Sequence, residues 1–366
     1  MQHGRILILC TDLNIGGAQT VAANISKYAP EHLHMTYLVF RDTPGDYEQA
    51  ILDRGHRVLH WPSPSGRFFA FFLELLELLR REHFDAVHCH NMFNCGPVML
   101  AARLARVPVR ISHSHTTREE RRESLVRTLY RRAMRLLIRT CSTDFWACGR
   151  EAGHALYGRR FFDRRGVIIA NGIDQSVFAF REDLRREIRR SYGVSDRYVI
   201  GHAGHYVEVK NQKFLIECMP GILALRPDAV LLLFGDGPDR AMLEQTIRQM
   251  GLADRVRLMG NAPGMGRILS AFDVFAFPSL FEGTPLSLLE AQNNGLPCII
   301  SDRIPDDAVV SELVTALPLQ DPAQWVRAIA AAERPRDPGA VRIRYPDVRE
   351  SMQMMYRVYE SNLETR

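Results

Sequence analysis

The sequence predicts an α/β protein built from two Rossmann-like, doubly wound domains that face each other across a cleft. Three observations carry that expectation. The chain has 366 residues, beyond the size at which a single hydrophobic core usually keeps growing. Short apolar runs alternate with amphipathic helical patterns, which implies parallel strands covered by helices on both faces. The rhythm then restarts after Gly166. This places one domain at 1–166 and a second at 167–345, with a closing helix in 346–366 assigned back to the first.

In the first half the strands read RILILC, MTYLVF, RVLHW, DAVHCH and VRISHSH, separated by helices at 18–29, around 47–54, 67–82 and 96–105. In the second half VIIANGID leads into a basic helix around 182–191. YVIGHAG, a helix at 211–225, AVLLLFGDG, a helix at 239–250, RVRLMG, a helix at 265–272 and DVFAFPS follow. The next stretch, 278–302, reads as strand end, tight loop, helix, glycine stop and strand. Thr284 is the expected N-cap, Pro285 suits the first helical position, and Gly295 stops the helix before Pro297. DPAQWVRAIAAA and YPDVRESMQMMYRVYESNL read as the last two helices.

Composition narrows the function classes. With 46% hydrophobic and 24% charged residues the chain is an ordinary globular one. A formal charge of +5 is too mild for a uniform nucleic-acid footprint, so no nucleic-acid partner is expected. Seven scattered cysteines without a CxxC pair, and an N-terminus that runs straight into a strand pattern, point to a reducing cytoplasm. The longest apolar run, Phe68 to Leu79, is interrupted by Glu74 and Glu77 and is too short to span a bilayer. Residues 118–139 carry eight Arg and three Glu on a helical pattern. Leu125, Leu129, Ala133, Leu136 and Leu137 form a stripe expected to pack on the domain, with Arg127, Arg131, Arg135 and Arg139 away from its centre. The functional alternative is attachment of this basic helix to an anionic membrane surface.

In doubly wound sheets ligands sit beyond the carboxyl ends of the strands. Gly16 and Gly17 at the first strand-to-helix turn let backbone approach a phosphate closely. The pattern is not G-x-G-x-x-G and no acid closes the second strand, which disfavours a nicotinamide enzyme. His88 and His90 end one strand, and His113 and His115 end another. With Cys89 and Cys95 they invite a metal reading, but no clear third-ligand motif accompanies them. In the 278–302 stretch Glu282 lies in the loop and Glu290 in the second helical turn. The helix start offers N–H groups to an anion, and the carboxylates can accept hydrogen bonds from hydroxyls. Taken alone, two glutamates flanking a helix start also read as dipole compensation.

FPSLFEGTPLSLLEAQNNGLPCIISD resembles the donor-binding signature of retaining glycosyltransferases of family 4, whose pattern is Pro-Ser-x-x-Glu-Gly-x-x-x-x-x-x-Glu-Ala-x-x-x-Gly-x-Pro. The resemblance implies the two-domain GT-B fold and extends over nearly the whole chain. Gly16 to Gln19 match an element near the donor diphosphate and acceptor. IIANGID matches Pro-Asn-Gly-Ile-Asp with Ala170 replacing the proline. Lys210 followed by Asn211 matches the diphosphate-gripping lysine, whereas His205 stands where arginine is usual. The resemblance implies His115 and Glu282 at the donor sugar as the catalytic pair and Glu290 at the ribose. It places Lys210, His205, Gly283, Thr284, Pro285 and Leu286 around the diphosphate, and Asn261 and Ala262 beside the nucleobase. It requires neither metal nor cofactor.

A histidine carries its charge only toward acid pH, so the departure at His205 leads to the expectation that donor affinity weakens between about pH 6 and pH 8. The implied function is transfer of a hexose or N-acetylhexosamine from a nucleotide-diphosphate sugar, with UDP the expected nucleotide. The acceptor is a saccharide or lipid-linked saccharide in capsular or exopolysaccharide synthesis, at the inner face of the membrane. Two alternatives are a sugar-nucleotide epimerase or hydrolase of the same architecture, and a catalytically weak sugar-nucleotide-binding protein.

Overall fold

The computed structural model describes residues 3–63, 65–116, 124–262, 264–335 and 337–361. The chain divides into two compact units, Met1–Gly172 with Val348–Arg366, and Ile173–Asp347. Each holds one parallel sheet.

In the first unit the strands are β1 (Gly4–Leu9), β2 (Leu33–Val39), β3 (Arg57–His60), β4 (Ala86–Cys89), β5 (Val109–Ser114), β6 (Asp144–Ala147) and β7 (Val167–Ile168), in the order β3-β2-β1-β4-β5-β6-β7. The helices are α1 (Gly17–Lys27), α2 (Glu48–Leu52), α3 (Phe68–Glu82), α4 (Cys95–Leu104), α5 (Leu125–Cys141), α6 (Arg150–Tyr157) and α7 (Arg159–Arg165). Side chains alternate across each strand. Leu7 and Leu9 of β1 therefore enter the core built with α3, α4 and α5, whereas Ile6 and Ile8 enter the opposite core built with α1.

The second unit orders β8 (Tyr198–Ala203), β9 (Ala229–Phe234), β10 (Val256–Gly260), β11 (Val274–Phe277), β12 (Cys298–Ser301) and β13 (Val314–Leu317) as β10-β9-β8-β11-β12-β13. Its helices are α8 (Glu182–Ser191), α9 (Gln212–Leu225), α10 (Arg240–Gln249), α11 (Met265–Ile268), α12 (Leu286–Asn293) and α13 (Pro322–Ala331). The final helix, α14 (Val348–Glu360), belongs to the first unit. There Val348, Met352, Met355, Tyr356 and Tyr359 enter the α1 core.

Three sequence expectations are corrected. The division falls after Gly172 rather than after 166, because Val167 and Ile168 pair with Trp146 and Ala147 and so extend the first sheet. Thr284 is not the N-cap of α12: that position is Pro285, and the helix begins at Leu286. The basic helix is also turned round. Its described part starts at Leu125, since 117–123 lie outside the described residues, and it buries Met134, Ile138 and Cys141.

Leu125, Leu129 and Leu136 of the expected inward stripe are instead 84%, 64% and 62% exposed. The arginines explain the rotation. Arg135 donates to the carbonyls of Leu156 and Ala155, both at 2.9 Å, and Arg139 Nε to that of Tyr157 at 2.8 Å. These are the last carbonyls of α6, where a cation is favoured by the helix dipole. Arg131 and Arg135 also lie over the Phe93 ring. The arginine stems are thus packing groups, and the leucines face outward.

Candidate functional site

In the second unit, three loops at the carboxyl ends of β8, β9 and β11 are stitched together by backbone hydrogen bonds. Gly204 N–H donates to Phe234 O at 2.9 Å, Tyr206 N–H to Asp236 O at 2.9 Å, and Leu280 N–H to Val209 O at 2.8 Å. Asn211, left-handed at φ 54°, donates through Nδ2 to Pro278 O at 3.3 Å. Gly235 has no substitute here: its φ is 135° and a Cβ would lie 2.1 Å from Gly204 O. Tyr206, fully buried, donates its hydroxyl to Leu233 O at 2.7 Å and pins the loop from below.

This scaffold brings Lys210 and Glu282 together across 72 residues of sequence. Lys210 Nζ donates to Glu282 Oε1 at 2.6 Å, with the side chains only 19% and 13% exposed. The ammonium also lies 5.1 Å from the centre of the Phe277 ring. His205 occupies the same β8–α9 loop, with an exposed residue surface and its backbone carbonyl held by Gln212 Nε2 at 3.0 Å.

Gly283, Thr284 and Pro285 lead directly into α12, where the N–H groups of Leu288 and Leu289 both reach Pro285 O. Leu286 and Ser287 hold the first helical positions, whose N–H groups have no acceptor within a helix. Glu290 stands one turn further on. Burial pushes its carboxyl up to about 7, and among the described residues no hydrogen bond or ion pair reaches it. Asn261 and Ala262 follow β10: Asn261 is exposed, and Ala262 packs on the core beneath.

The remaining predicted residues belong to the first unit. Gly16 is the N-cap of α1 in extended conformation, and a Cβ on Gly17 would meet nothing within 4 Å. His115 directly follows β5 in a group of four histidines that the sequence pattern named only as two pairs. His90 Nδ1 and His115 Nε2 are 2.7 Å apart, and His88 Nε2 and His113 Nδ1 are 3.1 Å apart. His88 Nδ1 lies 2.6 Å from the Tyr359 hydroxyl of α14. Ring nitrogens of His88, His90 and His113 fall within 4.8 Å of one another.

The cysteines form no disulfide: Cys95 donates its thiol to Cys89 O, and all seven are buried. Burial holds the His115 ring well below the usual histidine range, at about 4, and Asn171 beside it opposes that shift. Asn171 had read only as part of the IIANGID match; the pairing of β7 with β6 returns this segment to the first sheet, where Asn171 neighbours His115.

Fold and sequence place the chain in one class. A family model described as Glycosyltransferase Family 4 matches residues 15–177, and one described as Glycosyl transferases group 1 matches residues 197–333. A putative glycosyltransferase, EpsF of Bacillus subtilis, is 36% identical over 343 residues, covering 91% of this chain and 89% of its own. A UDP-Gal:alpha-D-GlcNAc-diphosphoundecaprenol alpha-1,3-galactosyltransferase of Escherichia coli is 32% identical over 240 residues, 63% of this chain and 61% of its own. The crystal structure of Anabaena HepE in complex with UDP-glucose superposes with a TM-score of 0.79 at 19% identity, covering 100% of both chains. The chain therefore belongs to glycosyltransferase family 4 and has the GT-B fold. Its activity is glycosyl transfer in exopolysaccharide or related glycan synthesis.

Proposed function

We propose that this protein is a retaining, metal-independent hexosyltransferase that takes its sugar from a UDP-sugar and gives it to a lipid-linked saccharide. The observation that carries the donor half is the Lys210–Glu282 pair set beside the start of α12. A diphosphate needs positive charge and N–H donors, and a sugar needs acceptors for its hydroxyls. Lys210 and the N–H groups of Leu286 and Ser287 supply the first, Glu282 supplies the second, and Glu290 is assigned to the ribose. In the reaction the bond from the sugar's C1 to the diphosphate oxygen breaks. A new bond forms from C1 to the acceptor hydroxyl oxygen on the same face, and the hydroxyl proton leaves with the diphosphate. Lys210 and the helix start stabilise the negative charge that develops on the leaving group, the work a divalent cation would otherwise do.

The first unit is assigned the acceptor, with Gly16 and Gly17 at its first loop and His115 on the donor sugar. UDP complexes of HepE and the diphosphoundecaprenol acceptor in the Escherichia coli relative's name support the choice of nucleotide and of a lipid-linked acceptor. Among the described residues, no helix is long and apolar enough to cross a membrane. Peripheral attachment at the cytoplasmic face is proposed instead, through the outward leucines of α5 rather than through its arginines, two of which are engaged with α6.

Calorimetric titration with UDP, GDP, ADP and NADH in EDTA tests the donor half. Binding of UDP, lost in Lys210→Ala, is the expected result. Binding of NADH, or of UDP only when a divalent metal is added, would refute it.

A further inference from the structure

One buried histidine of the second unit has no role in the function proposed above. His202, in β8, sits against two aromatic rings of the neighbouring strand β11. Its centroid is 6.3 Å from that of Phe275, at 6°, and 5.8 Å from that of Phe277, at 24°. Its Nδ1 is 2.9 Å from Ala276 O. A carbonyl oxygen only accepts, so Nδ1 carries the proton. Burial holds the ring well below the usual histidine range, at about 4; the bond to Ala276 O opposes that shift and the charge of Lys210 adds to it. The ring is therefore neutral at neutral pH, and Nε2 is a bare lone pair. That atom is buried, and among the described residues no donor reaches it. A buried acceptor without a donor is unfavourable to folding, and an apolar side chain beside Phe275 and Phe277 would avoid that cost.

The surroundings of Nε2 belong to Gly204 and Lys210. A Cβ on Gly204 would lie 3.3 Å from His202 Nε2, 3.4 Å from Lys210 Cδ and 3.5 Å from Lys210 Cε. The nitrogen and the lysine stem thus border one small gap that the glycine leaves open. Phe277 links them a second time, since its ring also has the Lys210 ammonium 5.1 Å from its centre. An ammonium has three N–H donors, and among the described residues this one makes a single hydrogen bond, to Glu282 Oε1.

We propose that His202 is a positioning residue whose bare Nε2 is a second seat for the Lys210 ammonium, taken when another group claims the Glu282 carboxylate. In the ligand-free protein Lys210 rests on Glu282, so cation and acceptor occupy each other. A sugar hydroxyl that donates to Glu282 and a diphosphate that accepts from Lys210 part the pair. Nε2 then gives the ammonium an acceptor on the protein side. The neutral ring does this without repelling the cation, because its own N–H is turned to Ala276 O. That a nucleotide-diphosphate sugar parts the pair rests on the function proposed above. The second seat does not.

The test is a two-bond proton–nitrogen correlation spectrum of the full, uniformly nitrogen-15-labelled chain at neutral pH without nucleotide, with His202 assigned from the signals missing in His202→Gln. The wild-type ring is expected to show a protonated Nδ1 and a bare Nε2. In Glu282→Ala the ammonium moves to His202, and the Nε2 signal shifts upfield, as that of a lone pair does on accepting a hydrogen bond. Glu282→Ala combined with Lys210→Met leaves the signal at its wild-type position. Wild-type His202 protonated on Nε2, an Nε2 signal unmoved in Glu282→Ala, or one that moves equally in the double variant, overturns the proposal. Should Glu282→Ala fail to fold by circular dichroism, Glu282→Gln, whose neutral amide holds the ammonium less firmly, is read in its place with the same expectation.

Calorimetric titration with UDP in EDTA supplies a second readout. His202→Asn keeps a donor for Ala276 O and loses the acceptor, whereas His202→Gln keeps an acceptor at the Nε2 position and loses that donor. The expected result is UDP binding about tenfold weaker in His202→Asn and close to wild type in His202→Gln. Equal losses, or the greater loss in His202→Gln, would mark His202 as purely structural and overturn the proposal. A wild-type protein that binds no UDP counts against the hexosyltransferase reading, and the ligand-free spectra then decide the second seat alone.

Discussion

Glu290→Gln separates stability from function at one atom pair. The wild-type carboxyl has its pKa raised by burial from 4.5 to about 7. Between those values the native state holds a proton that the unfolded chain has released. The native state then binds more protons, so stability falls as pH rises through this window and the loss is complete above about pH 7. At roughly 1.4 kcal/mol per pH unit the full shift corresponds to about 3 kcal/mol, and discounting for the part of the residue still accessible leaves roughly 2 kcal/mol. Glutamine has the same shape and no charge to bury.

The expected outcome is a variant nearly equal to wild type at pH 5 and about 2 kcal/mol more stable at pH 8. Urea unfolding of the second unit, followed through the buried Trp325 with Trp61 and Trp146 replaced by phenylalanine, reads it. The same variant should bind UDP at least about tenfold more weakly, because a charged acceptor for ribose hydroxyls is gone. A stability difference independent of pH, or a less stable variant at pH 8, would refute the reasoning.

Other perturbations follow the same geometry. Lys210→Ala leaves the Glu282 carboxylate partly buried without its 2.6 Å partner and should cost about 1–3 kcal/mol in urea unfolding, while Lys210→Met with Glu282→Leu should recover part of that loss. Tyr359→Phe removes the hydroxyl 2.6 Å from His88 Nδ1 and should destabilise the first unit by about 1–3 kcal/mol in urea unfolding followed through Trp146, with Trp61 and Trp325 replaced by phenylalanine. Gly235→Ala forces a Cβ to within 2.1 Å of Gly204 O at φ 135°, so loss of UDP binding is expected along with a lower melting temperature. Leu125→Glu with Leu129→Glu should reduce flotation with anionic liposomes; flotation equal to wild type would remove α5 from the membrane account.

Much of this was readable before any coordinates. Strands such as β9 and β11 are apolar along their whole length because both faces of a parallel sheet are covered, and that pattern survives in a single sequence. The glycine stop at Gly295 is equally local: its φ is 67° and a Cβ would lie 2.6 Å from Pro338 O. Failures came where a distant partner decides. The orientation of α5 depends on carbonyls of α6 that lie about twenty residues away, and periodicity alone favoured burying the leucines over the arginine stems.

Pro285 took the capping position from Thr284, a one-residue shift of the kind that local signals do not resolve. Strands β6 and β13 and helices α6 and α7 were not read at all, being short and weakly patterned. At the site, Lys210, Glu282 and His115 were each singled out by motif. The pairings between them were not, because the Lys210–Glu282 and His90–His115 pairs join segments 72 and 25 residues apart.

The central claim is metal-free transfer from a UDP-sugar with retained configuration. Its most direct measurement is proton NMR of the product formed in EDTA from an α-linked UDP-hexose and a lipid-linked acceptor, reading the anomeric coupling constant. The account predicts the small coupling of an α-glycoside, with product absent in Lys210→Ala. The large coupling of a β-glycoside, or transfer that begins only when magnesium is added, would contradict it.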